Sequence, residues 1–152
     1  MRTMSEVGTK GSDDRGRTEM FAALAEAGRD ALRGLWARRE QAEELDERER
    51  RLLKLLNDHE EFREYWEGRE PEGTQNPFMH VFFHEILEKQ LEADDPPEGR
   101  QTLNRLIAAG VDPHEAKHKI LRVLVLQLHE ATREGRDLDA ETYARSLSNI
   151  NA

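Results

Sequence analysis

Four of the six histidines in this chain form two pairs, His80 with His84 in HVFFH and His114 with His118 in HEAKH. Both pairs are spaced i, i+4. On an α-helix that spacing puts two imidazoles on one face, about 6 Å apart, where both can reach a single ion. Six histidines scattered over 152 positions would give about 0.2 such pairs, and histidine is the commonest metal ligand, so finding two points to metal chemistry. The chain has no cysteine, which removes disulfides, thiolate sites and a thiol nucleophile together. Four neutral nitrogen donors without sulfur suit zinc, or another late first-row ion, better than calcium or magnesium. Glu88, one turn beyond His84, and Glu115 are the nearby carboxylates that could ligate, orient a ligand or act as a base. The metal-free alternative is that the histidines bond to backbone carbonyls or to Glu85 and Asp112 with no ion present.

The other two histidines read differently. His59 lies near Leu52, Leu56 and Phe62 and has the setting of a core or capping residue. His129 follows His118 by 11 residues on one continuous helix, about 16 Å along the axis, too far to share its ion. HEAKH also satisfies H-E-x-x-H, the pattern in which a glutamate activates a zinc-bound water for peptide hydrolysis. A protease of that kind needs a third ligand and a cleft for an extended substrate, and Lys117 stands at a position normally buried. A di-iron bundle would need two E-x-x-H motifs, and only Glu115 to His118 fits.

Helices must position these groups. Asn76 followed by Pro77 reads as an N-cap with proline in the first turn, and Met79, Phe82, Phe83, Ile86 and Leu87 form the buried stripe of a helix to about Glu92. Asp112 and Pro113 repeat the arrangement and open a helix whose centre, ILRVLVLQL, is apolar nearly all round and belongs in the middle of a bundle. Each histidine pair occupies the first turns of its helix and begins a stripe that continues apolar. A shorter helix through Leu103, Leu106 and Ile107 stops at Gly110, the place of a left-handed cap. The run up, down, up then brings the four imidazoles to one end. Upstream, Phe21, Leu24, Leu32, Leu35 and Trp36 predict a helix capped by Thr18, and Asp58 with Glu61 has the form of a capping box restarting a helix toward Trp66. Gly68 to Gln75 is a loop. Asp139 caps a last helix with Tyr143, Leu147 and Ile150. No segment alternates with period two, so the fold class is all-α, a compact bundle of about six helices with short connections.

Composition agrees. Lys and Arg number 23 against 32 Asp and Glu, a formal charge of −9. Arg38 to Glu72 alone carries 8 basic and 13 acidic residues. That surplus repels phosphate backbones and anionic headgroups, so neither nucleic acid nor membrane is an expected partner. No apolar stretch approaches the roughly 20 residues that cross a bilayer, and the amino terminus lacks a signal-peptide core, which leaves a cytoplasmic protein as the expectation. Residues 1–17 have almost nothing apolar to bury and read as a disordered tail before a single domain of residues 18–152.

LLNDHEEFREYW (Leu55 to Trp66), NPFMHVFFHEILEKQL (Asn76 to Leu91), ADDPPE (Ala93 to Glu98) and GVDPHEAKH (Gly110 to His118) together resemble a bacterial family catalogued only as a domain of unknown function. The likeness covers about residues 45–150. It implies a small helical cytoplasmic protein with placed histidines and no assigned reaction. The chain departs from it at Glu60, where similar sequences tend to have proline, and near His129, where they tend to have tryptophan.

The expectation is a divalent metal ion, zinc in the first place, held by His80, His84, His114 and His118, with Glu88 and Glu115 in support. With one position left to water, the same site becomes that of a helical metal-dependent hydrolase. A metal-free interaction module, docking a partner or a second copy through the N-terminal helix, is the other class. It carries the further expectation of an exposed apolar patch around Trp36.

Overall fold

Asparagine and aspartate side chains start four of the helices. In the computed structural model, which describes residues 9–73 and 76–152 and side chains from residue 23 onward among these, there are seven α-helices, two 3-10 turns and no strand among the described residues. The all-α expectation is met, with one helix more than the six expected. Packing divides the chain into two compact units that meet between Val81 and Phe82, inside one helix.

The first unit begins with α1 (Thr9–Ala37). Residues 9–17, read from sequence as part of a disordered tail, are therefore helical, and Thr18, expected as the cap, lies inside the helix. Once a packed helix is nucleated, adding residues at its end costs far less than starting it, so weak helix formers are carried along. Residues 1–8 of the expected tail lie outside the described residues, as do Thr74 and Gln75 of the expected loop and the side chain of Phe21. Leu32, Leu35 and Trp36 are buried, whereas Leu24 is 61% exposed. A 3-10 turn at Ala42–Glu44 leads into α2 (Glu47–Asp58). The capping box is here: the Asp46 carboxylate accepts from Glu49 N at 2.8 Å, and Glu49 accepts in return from Asp46 N at 3.2 Å. The Asp58–Glu61 box expected from sequence does not form. His59 occupies that junction, ending α2 and starting a 3-10 turn (Glu60–Phe62) with no side-chain cap, and α3 (Arg63–Trp66) follows.

This unit is held by one arginine and two tryptophans. Arg33 on α1 donates to Tyr65 O at 3.1 Å and Arg69 O at 2.7 Å, tying α1 to the end of α3 and the turn after it. Trp66 donates to Leu56 O at 3.2 Å and packs edge-on against Phe78. Trp36 is 5% exposed, with the guanidinium groups of Arg39 and Arg63 over its ring. Trp36, around which the interaction-module reading expects an exposed patch, is itself buried among the described residues.

The boundary helix, α4 (Pro77–Ala93), starts as anticipated: Asn76 Oδ1 accepts from Phe78 N at 3.0 Å and Met79 N at 3.2 Å. In the second unit α5 (Pro97–Ala108) ends in a Schellman turn, in which Gly110, at φ +95°, donates to Ile107 O and Val111 to Leu106 O. Asp112 then caps α6 (Pro113–Glu134), and Asp139 caps α7 (Ala140–Ser148). Leu87, Leu91, Leu103, Leu106, Ile120, Leu121, Leu124, Tyr143 and Leu147 form the core of this unit. No helix among the described residues is long and apolar enough to cross a membrane.

Candidate metal centre

In the first unit the end of α2 and the start of α4 bring two histidines together. His59 is fully buried, and its Nδ1 lies 2.7 Å from Leu55 O, one helical turn back. A carbonyl oxygen only accepts, so Nδ1 carries the hydrogen, and in the neutral ring Nε2 holds the lone pair. That Nε2 lies 3.2 Å from Nε2 of His80. Phe62 fixes the pair by geometry: its ring lies parallel to His59 at 6.1 Å and edge-on to His80 at 5.9 Å.

The second unit contains a corresponding pair. His84 on α4 is 1% exposed, and its Nε2 lies 3.1 Å from Nε2 of His118 on α6. Glu115 sits on the other nitrogen of His118, 4.0 Å from Nδ1, and 3.9 Å from the Arg122 guanidinium. The H-E-x-x-H glutamate therefore lies on the Nδ1 side of its histidine rather than at the paired Nε2 atoms. His114 packs its ring on both neighbours, stacked on His84 at 5.5 Å and edge-on to His118 at 4.2 Å. Asp112, which accepts from His114 N and Glu115 N, sets the first turn of α6 from which these rings project.

One continuous helix carries a histidine of each pair. His80 and His84 are a turn apart on α4, a spacing that follows from the helix itself. The Nε2 separations within each pair are close to those of ligation: zinc–nitrogen bonds of about 2.0–2.1 Å set the edge of a tetrahedron at about 3.3–3.4 Å. Two imidazole nitrogens at 3.1–3.2 Å are also the distance of a simple N–H to N hydrogen bond, so the same atoms serve either state.

The supporting carboxylates are placed unequally. Glu88 pairs with Lys117 Nζ at 2.5 Å, which accounts for a lysine on this half-buried face of α6. Glu115 lies on the Nδ1 side of His118, at 4.0 Å, beyond hydrogen-bond distance. Glu85, 7% exposed, is the buried carboxylate of α4. His129 is exposed.

His59 is the residue that sequence reasoning set aside from the ligands. It is both the core and the capping residue anticipated, and it also offers its Nε2 to His80. Its contact spans 21 positions, so no local periodicity could have marked it. The one local signal was its place four residues after Leu55 at a helix end, where Nδ1 can return to a free carbonyl.

The family described as a domain of unknown function, DUF1841, matches residues 25–149. Its span begins before Leu45, where the resemblance drawn from motifs began. No curated protein and no solved structure matches the chain.

Proposed function

Because the chain belongs to the DUF1841 family, whose description carries no activity, we propose from the geometry of the site that it is a metal-binding helical protein. Its candidate ligands are His59 and His80 in the first unit and His84 and His118 in the second, with zinc first among late first-row metals. The observation that carries this reading is the pair of Nε2···Nε2 separations, 3.2 and 3.1 Å, on two histidines one turn apart on α4. Two features support it. His59 donates its other ring nitrogen to a backbone carbonyl, the usual way a ligating imidazole is held in one tautomer. Each pair offers imidazole nitrogens and no sulfur, which matches the ligand preference of zinc. In this set His59 stands where sequence alone put His114, and His114 buttresses the rings of two ligands. The protein is proposed to work in the cytoplasm.

Elemental analysis of the purified, untagged protein tests the proposal. About one equivalent of zinc, nickel or iron per chain is expected, and a His84→Ala variant, with helicity checked by circular dichroism, should lose most of it while also losing thermal stability. Unchanged metal content in His84→Ala, or no uptake by the wild type after supplementation and dialysis, overturns the reading.

A further inference from the structure

Beside His80 the first unit contains a cavity of about 310 Å³ whose described walls are Phe62, Asn76, Pro77 and His80. His59 is fully buried and His80 only half-buried, so His80 is the edge of the histidine pair that a small molecule can approach. The walls are chemically one-sided. Phe62 and Pro77 supply two apolar rings, and Phe62 stands nearly perpendicular to the His80 imidazole at 5.9 Å. Asn76 commits its oxygen to Phe78 N and Met79 N, so the group it can serve to a ligand is its amide N–H₂, a donor. The cavity also lies at the N-terminal end of α4, a 17-residue helix, where the helix dipole favours negative charge. No carboxylate is among the described walls.

Resting on the metal reading above, we infer that this cavity binds a small monocarboxylate with a flat apolar body. The carboxylate meets the ion at His80 and the Asn76 amide, and the body lies between Phe62 and Pro77. Zinc takes four or five ligands, so an ion on the histidine pair can accept the oxygen. The volume is at the small end of ligand pockets, about 300–1,000 Å³, which limits the body to about one ring.

The test uses the full chain loaded with cobalt(II), whose visible absorption reports a new ligand, and benzoate as the probe. Benzoate should change the cobalt spectrum and bind saturably, while benzyl alcohol, with the same ring and no charge, should not. Asn76→Asp keeps the capping oxygen and turns the donor into a negative charge, so it should weaken benzoate by about tenfold or more through like-charge repulsion. Phe62→Leu, which keeps the wall apolar but not flat, should weaken it less. Cobalt uptake with no effect of benzoate, or equal benzoate binding by wild type and Asn76→Asp, overturns the inference and leaves the metal reading standing. Failure to take up cobalt overturns the metal reading and this inference with it.

Discussion

Replacing His59 by leucine should erase most of the stabilisation that zinc confers on this chain. The His59 side chain is fully buried, with Leu55 O at 2.7 Å from one ring nitrogen and His80 Nε2 at 3.2 Å from the other. Leucine fills similar space but removes one donor and one ligand. Without metal the loss includes the hydrogen bond to Leu55 O and the N–H to N bond with His80, about 1 kcal/mol each. With zinc the variant also lacks one of the two ligands of its pair. Changes one shell further out already cost about 10–100-fold in metal affinity, so a lost ligand is set at about 100-fold. At a zinc concentration about 100 times the wild-type Kd, linkage stabilises the wild type by about 2.7 kcal/mol and the variant, then near its own Kd, by about 0.4 kcal/mol. The difference of about 2.3 kcal/mol corresponds to about 5–9 °C, at about 2–4 °C per kcal/mol for a chain of this size. Thermal melts followed by circular dichroism, with zinc and with chelator, measure the two shifts separately and so remove the metal-free cost of the substitution. Equal zinc-induced shifts in wild type and His59→Leu would refute ligation by His59. A shift lost in His114→Ala and kept in His59→Leu would restore the set read from sequence.

Asp112→Ala should destabilise the second unit by about 1 kcal/mol, the usual cost of a lost N-cap, because Asp112 holds His114 N and Glu115 N. The fraying reaches the turn that positions His118, so zinc affinity should fall as well; calorimetric titration showing unaltered affinity would separate the cap from the site. Tyr143 sets an alkaline limit. Burial pushes its hydroxyl up to about 12 from 10.0, and it donates to Gln90 Oε1 at 2.8 Å. Its folded value lies above the unfolded one, so its contribution is complete below pH 10 and is lost as pH rises from 10 toward 12. Urea midpoints on both sides of pH 10 should decline in the wild type and decline less in Tyr143→Phe; the same slope in both would assign the decline to another group.

The parts of the fold that were legible in the sequence are those decided within a turn or two of chain. Asn76–Pro77 and Asp112–Pro113 open their helices, Gly110 ends its helix in left-handed conformation, and Asp139 caps the last helix, all as expected. Local pattern failed where two sites competed for one role. Asp46–Glu49 and Asp58–Glu61 match the same capping signature, and the choice fell to the one followed by the Leu52, Leu53 and Leu56 face, because burial rather than the cap stabilises a helix of this length. At Asp58 the chain instead turns so that the His59 ring is buried. For the same reason the i, i+4 histidines were visible and His59 was not. A pair on one helix is fixed by helical geometry, whereas the approach of His59 to His80 depends on how the end of α2 packs against the start of α4.

The hydrogen bond from His59 to Leu55 O also closes that ring to proton traffic. An imidazole relays a proton only if one nitrogen releases while the other receives, and the released proton needs a base to take it. A backbone carbonyl is not such a base. A proton arriving from His80 therefore has no onward route through His59, and the buried end of the pair is a terminus. Of the two rings, the half-buried His80, which lines the cavity beside Asn76 and Phe62, is the one nearer to water.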